Sequence, residues 1–259
     1  MSYLLAIDQG TTSTRCVVYD QELNTVNSAQ QEYPLIYPDD GWVEVNPTEL
    51  LASVYQTLDP MLDLSLEIIC AGITNQRETT LVWDAQSGES IFNGIVWQDR
   101  RTAEICNDLK KQNLETIFQD KTGLLLDAYF SGTKIKWILD AVEGAREKAE
   151  RGDLCFGTID TWLLWNLTKG KAHATDYSNA SRTLIYNIKD LQWDEKMLQA
   201  LQIPKSILPE VKDSASYFGV YETAEGAIPI TAMIGDQQAA LFGQACFEKG
   251  MAKNTYGTG

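Results

Sequence analysis

Apolar residues fall in short blocks along this chain, and each block ends abruptly on polar residues. The first, Tyr3-Leu4-Leu5-Ala6-Ile7, delivers Asp8, then Gln9-Gly10-Thr11-Thr12-Ser13-Thr14-Arg15, then a second block, Cys16-Val17-Val18-Tyr19. Two such runs around a Gly-containing turn predict a β-hairpin. At Asn46 the period changes: Asn46 is a capping residue, Pro47 suits the first helical position and Glu49 the third, and Leu50, Leu51, Val54, Tyr55 and Leu58 recur at helical spacing. A helix therefore starts there. Buried strands are expected over 67–73, 80–84 and 228–234, with a short run over 94–97 that ends at Gln98-Asp99-Arg100-Arg101. Helices are expected at about 100–112, 133–149, 161–167 and 236–248, each with an apolar stripe. The Trp162, Leu163, Trp165 and Leu167 cluster reads as core packing rather than a sugar platform. The alternation gives an α/β fold with a mixed sheet flanked by helices. The hairpin makes part of that sheet antiparallel, which disfavours a TIM barrel or a simple doubly wound domain.

Composition restricts the chemistry. At 259 residues, 44% hydrophobic and 22% charged, the chain can bury a substantial core and hold two subdomains. A formal charge of −15 disfavours nucleic acid and anionic membranes as partners, so any phosphate must be held locally. No apolar stretch approaches the roughly 20 residues of a membrane span, and residues 1–20 lack the pattern of a secretory signal; a cytoplasmic location is expected. Cys16, Cys70, Cys106, Cys155 and Cys246 are far apart with no CxxC, as suits reduced and mostly buried thiols. A single histidine, His173, rules out HExxH zinc sites and His-rich metal centres, and leaves little room for Ser-His-Asp or Cys-His chemistry. GxxxxGK[ST] is absent, so a Walker A loop is excluded as well.

Carboxylate, hydroxyl and arginine chemistry remains, in three clusters. In the first, Gly10 permits a tight turn, the hydroxyls and N–H groups of Thr11, Thr12 and Ser13 offer donors to phosphate oxygens, and Asp8 could hold Mg²⁺ or its water shell. An ordinary Thr-rich hairpin is the alternative. In the second, Gly72-Ile73-Thr74-Asn75-Gln76-Arg77-Glu78 places polar residues directly after a buried strand, where α/β sheets line a ligand crevice. Arg77 beside Glu78 pairs a forked donor with an anionic acceptor, which suits a polyol, although a surface ion pair reads equally well. In the third, a strand runs through Gly235 into Asp236 at a helix start. That Asp is either a helix cap or the base that takes a proton from a hydroxyl in phosphoryl transfer.

Seven segments together resemble the FGGY family of carbohydrate kinases: Ala6–Ser13, Gly41–Glu44, Asn75–Thr79, Trp97–Thr102, Asp176–Thr183, Gly235–Gly243 and Asn254–Gly259. Within the family the chain is most similar to the members that act on glycerol. The resemblance implies an actin-like, ribonuclease-H-like ATPase fold of two lobes, with ATP, Mg²⁺ and the polyol meeting between them. It implies that Arg77, Glu78, Tyr129 and Asp236 contact glycerol, with Trp97 as an apolar wall and Gln237 close by. It also implies that Asp236 is the base, that Asp8 and Asp236 attend Mg²⁺, and that Thr11, Thr12, Ser13, Arg15 and Thr258 reach the ATP phosphates. Family members are about twice this length. Residues 1–259 are accordingly expected to be an N-terminal kinase domain, with the nucleotide-binding C-terminal domain outside this chain and no turnover by the piece alone. A homo-oligomer of the full-length protein is compatible with the resemblance. Another FGGY sugar or polyol kinase, or an actin-like ATPase without a small-molecule substrate, are the alternatives.

Overall fold

The computed structural model describes residues 1–224 and 226–255. The expected hairpin supplies two strands of a six-stranded sheet made of β1 (Ser2–Gln9), β2 (Ser13–Tyr19), β3 (Thr25–Glu32), β4 (Glu67–Asn75), β5 (Gly219–Glu222) and β6 (Ala227–Gly235). Their spatial order is β5-β6-β4-β1-β2-β3. The contacts β1–β2, β2–β3 and β5–β6 are antiparallel, whereas β1–β4 and β4–β6 are parallel. This order and mixed direction are those of the actin-like, ribonuclease-H-like fold. Parallel register sets Gln9 beside Asn75 and Asn75 beside Gly235. The three polar clusters, 66 and more residues apart in sequence, therefore leave the sheet at one edge.

The helix Pro47–Leu62 begins as its sequence dictates. Asn46 is extended (φ −72°, ψ 117°) and its side chain accepts from the N–H groups of Thr48 and Glu49. Leu50, Val54, Leu58 and Met61 are buried and pack toward β2 and β3. Ser53 and Thr57 also face the sheet, where they meet Thr14 Oγ1 at 2.6 Å and Cys16 Sγ at 3.2 Å. Their hydroxyls are satisfied, so the polar positions cost little.

A second core lies beside the sheet, built from Val82, Phe118, Leu126, Ile135, Phe156 and Leu201 among others. Here local expectation and structure part. The single helix expected over 133–149 is two, Ser131–Ala141 and Ala145–Arg151, because Gly144 takes φ +72° between them. Helix Ala103–Lys111 starts later than expected, since Asp99 accepts from Arg101 N–H at 2.8 Å and holds 98–102 as a turn. The last helix, Asp236–Gly243, stops short of 248. None of its residues is buried, so no packing sustains the apolar pattern through Phe242 and Phe247, and Ala245 turns to φ +54°. Strand Leu154–Gly157, which pairs with Leu81–Asp84, and helices Glu115–Thr122 and Glu195–Leu201 were not anticipated. Over 94–97 only Gly94–Ile95 is strand.

The tryptophan cluster is core. Trp162, Leu163 and Leu167 are buried, and the Trp83 ring packs edgewise on Trp162 and Trp165 at 5.2 and 5.8 Å. His173 joins the same cluster, its Nε2 bonded to the Phe156 carbonyl oxygen, and burial lowers its pKa. It is a packing residue. All five cysteines are unpaired, and Cys16, Cys106 and Cys155 are buried. Among the described residues, no helix is long and apolar enough to cross a membrane.

Candidate active site

At the sheet edge described above, Thr11, Gln76, Arg77, Glu78, Trp97, Tyr129, Asp236, Gln237 and Lys253 line one cavity of about 530 Å³. Its floor begins with the turn after β1. Gly10 N–H donates to Ser13 O at 2.9 Å, and Gly10 O accepts from Tyr33 Oη and from Gln76 Nε2 at 3.1 Å. The phosphate-loop candidate is thereby tied to the exit of β4. Gly10 needs no unusual φ; a Cβ there would sit 3.2 Å from Ser13 O.

After β4 the chain reverses sharply. Thr79 N–H donates to Arg77 O at 2.8 Å across Glu78, whose φ is +64°. Such a tight turn is strained for a residue with a side chain. Its carboxylate justifies the position: Glu78 is 2% exposed, and its Oε1 accepts from Arg182 Nε at 2.6 Å. Burial raises the pKa of Glu78, while Arg77 and then Arg182 oppose that rise.

Arg77 is 11% exposed and its Nε stands 3.4 Å from Asp236 Oδ1. Gly235, just before Asp236, makes room for it: a Cβ there would lie 2.5 Å from Arg77 Cδ and 2.8 Å from Cγ. Gly235→Ala is therefore expected to push the guanidinium out of place and weaken small-molecule binding about tenfold or more; calorimetric titration of the variant with a polyol checks this. Gly235 itself holds the helix N-cap position, with Asp236 as the first helical residue and its Oδ1 accepting from Gln237 N–H at 2.7 Å. Asp236 is thus not the capping residue that its sequence position suggested.

The opposite wall is aromatic. Trp97 and Tyr129 rings lie 5.4 Å apart, and Trp97 Nε1 donates to Thr11 Oγ1 at 3.0 Å. Trp97 is fixed by the segment behind it. The Asp99 and Arg101 side chains are buried, joined at 2.7 Å, with Glu44 2.8 Å from the same guanidinium and the Trp42 and Trp137 rings at 3.9 and 4.6 Å. The Gly41–Glu44 and Trp97–Thr102 segments thus form an arginine cage that supports the wall. Tyr129 is held from below by the fully buried Lys134, which donates to the Ala128 and Tyr129 carbonyls at 2.8 and 2.6 Å; burial pushes its ammonium down to about 7.

The structure brings Thr11, Arg77, Glu78, Trp97, Tyr129, Asp236 and Gln237 together. Asp8 is paired in register with Arg15 and is not among the residues that line the cavity; desolvation, then the Asp236 charge, raises its pKa, and Arg15 lowers it. Thr12 lies on the exposed side of the turn, and Ser13 Oγ accepts from Gln30 Nε2 at 3.2 Å. Thr258 falls outside the described residues. Sequence reasoning missed Arg182, Lys134, Gln76 and Lys253, whose Nζ donates to Gln237 Oε1 at 2.7 Å. Arg182 and Gln76 lay inside segments singled out above, but nothing in their spacing gave them a partner. Isolated lysines such as Lys134 carry no local signal at all.

The family model "FGGY family of carbohydrate kinases, N-terminal domain" matches residues 3–243, and the chain belongs to that family. It is 59% identical over 264 residues to the glycerol kinase of Alkaliphilus metalliredigens, covering 99% of this chain and 53% of that protein. It is 60% identical over 266 residues to the glycerol kinase of Desulfitobacterium hafniense, with coverage of 99% and 53%. The chain thus spans about half the length of the curated relatives it matches. Among solved structures, Plasmodium falciparum glycerol kinase with ADP superposes with a TM-score of 0.93 at 39% identity, over 96% of this chain and 51% of that one. A xylulose kinase from Lactobacillus acidophilus matches with a TM-score of 0.83 at 23% identity over 94% and 50%, which shows the shared fold.

Proposed function

We propose that this chain is the polyol-binding half of an ATP-dependent glycerol kinase, and that Asp236 is its base. One observation carries the reading: a buried carboxylate, a guanidinium and a more exposed carboxylate converge opposite two aromatic rings. A small polyol needs donors and acceptors for hydroxyls that do both, and an apolar face for its carbons. Arg77 donates, Glu78 accepts, and Trp97 and Tyr129 cover the carbon chain. Asp236, 39% exposed, remains accessible for the terminal hydroxyl. As that oxygen bonds to the γ-phosphorus of ATP and the bond to ADP breaks, Asp236 accepts the hydroxyl proton. Names and identities of the relatives support glycerol over other polyols, and the ADP in the Plasmodium falciparum structure supports the nucleotide.

Mg²⁺ fits the donor set. Among the described residues no cluster of three or more His, Cys, Asp or Glu could hold a metal ion alone. The Asp236 charge raises the pKa of Asp8, a repulsion that a divalent cation would relieve. Magnesium is commonly held by one or two carboxylates together with substrate phosphates, and it would neutralise charge on the transferring phosphoryl group. Thr11, Thr12, Ser13 and Arg15, with Thr258, remain the proposed phosphate contacts.

The test is ATP turnover by the full-length protein with glycerol, xylulose, gluconate or erythritol. Glycerol is expected to give the highest kcat/KM; stimulation by another polyol alone would favour a different kinase of the family, and no stimulation an ATPase of another kind. Arg77→Ala is expected to raise the glycerol KM, by about tenfold or more, with a smaller change in kcat, because binding common to ground and transition states is lost. An unchanged KM would remove Arg77 from the pocket.

A further inference from the structure

The segment Asp176–Thr183 has no residue among those assigned to ligands, yet it contacts the Glu78 carboxylate and the main chain immediately before Asp236. Asp176 Oδ2 accepts from Ser178 Oγ and from Ser214 Oγ, each at 2.6 Å, and Ser178 Oγ accepts from Gly235 N–H at 2.7 Å. Through Gly235 this fixes the first turn of the helix that carries Asp236. Asn179 is locked to Asn75 at the end of β4 by bonds of 2.9 and 3.1 Å. Three residues on, Arg182 Nε grips Glu78 Oε1, and its guanidinium carbon lies 4.9 Å from the Phe130 ring and 5.8 Å from that of Tyr129.

We propose that Asp176–Thr183 is a clasp that sets the two polyol-facing carboxylates relative to each other, with Arg182 positioning Glu78 and thereby determining specificity for the hydroxyl that Glu78 holds, and Ser178 positioning Asp236. The proposal rests on the polyol reading given above. Three things favour a positioning role for Arg182 over a mere surface pair. Its partner is 2% exposed, so its loss leaves a carboxylate in a place where water cannot compensate. Glu78 sits on strained backbone, so it has little reason to stay without its side-chain partner. Moreover, of the cations around Glu78, Arg77 is shared with Asp236 and Lys134 is spent on two carbonyls, so among the described residues Arg182 is the cation hydrogen-bonded to it. Arg182 is not placed to touch the reacting atoms; it acts through Glu78.

The two ends of the clasp should fail differently, which a general loss of stability would not produce. In the full-length protein, Arg182→Gln is expected to raise the glycerol KM about tenfold or more while kcat stays within about threefold. Propane-1,2-diol and propane-1,3-diol, as competitors, each lack one hydroxyl. For the one lacking the hydroxyl that Glu78 holds, Ki is expected to change less than about twofold, so the preference for glycerol over that diol collapses. Ser178→Ala is expected to lower kcat about tenfold with KM within about threefold. Equal weakening of glycerol and both diols in Arg182→Gln, or the same KM and kcat pattern in both variants, would overturn the clasp. Should Arg182→Gln fail to fold, Arg182→Lys decides: a raised KM with reduced discrimination supports the proposal, and unchanged values overturn it. Glycerol-independent behaviour of the parent protein would instead overturn the polyol reading itself, and the clasp with it.

Discussion

Asp236→Asn in the full-length protein is expected to lower kcat about 10²–10⁴-fold, the usual contribution of a general base, while nucleotide binding persists. The substitution isolates basicity. Asparagine keeps the size of the side chain and an oxygen that can accept from Gln237 N–H, the bond that Asp236 makes at 2.7 Å. Because Gly235 occupies the N-cap position, little helix stability is at stake. Unfolding temperature and nucleotide affinity should therefore move little while turnover collapses. Turnover within a few-fold of the parent would leave Asp236 as a residue of the helix start only. The Arg77 guanidinium, 3.4 Å away, would lose an anionic partner in the variant, so a modest rise in the glycerol KM is expected alongside the loss of kcat.

Asp99→Ala is expected to be the most destabilising single change behind the site, costing about 3–5 kcal/mol. The Arg101 guanidinium is completely buried, and Asp99 is its closest acid partner at 2.7 Å. Asp99 also accepts from Val43 N–H at 2.6 Å and from Arg101 N–H at 2.8 Å. Truncation leaves a buried cation with Glu44 alone and two main-chain donors without their acceptor. Denaturant unfolding of parent and variant measures the loss, and a difference below about 1 kcal/mol would show that the cage is not under electrostatic tension. Trp97 follows Val96 directly into this turn, so surviving protein should also bind glycerol less tightly. Replacing Asp99, Arg101 and Glu44 together by apolar residues of similar volume should cost less than the single truncation, since no charge is then stranded.

Legibility differed between elements for physical reasons. The hairpin and the helix at Pro47 were readable because each is specified locally, by alternation or by a cap within four residues. The break at Gly144 was not, because the apolar period runs on through it and only the left-handed backbone reveals the turn. The end of the last helix failed the other way: Leu241, Phe242 and Phe247 continue a helical pattern, but no described neighbour buries it. In the site, Arg77, Glu78 and Asp236 were legible by residue type at strand ends, whereas Trp97 and Tyr129 entered only through family resemblance. Arg182 and Lys134 could not be assigned, since a cation shows its role only once its acceptor is near in space.

By itself the sequence determined the elements whose signals lie within a few residues, the exclusion of multi-histidine metal sites and of a Walker A loop, and the three polar clusters at strand ends. The tertiary structure decided that these clusters meet. Parallel pairing of β1 with β4 and of β4 with β6 places Gln9, Asn75 and Gly235 side by side, and only that register brings Thr11, Glu78 and Asp236 around one cavity. It also decided which charges are buried. Burial is a property of what surrounds a side chain, so the strained, desolvated Glu78 and its Arg182 partner, 104 residues away in sequence, exist as a pair only in the fold.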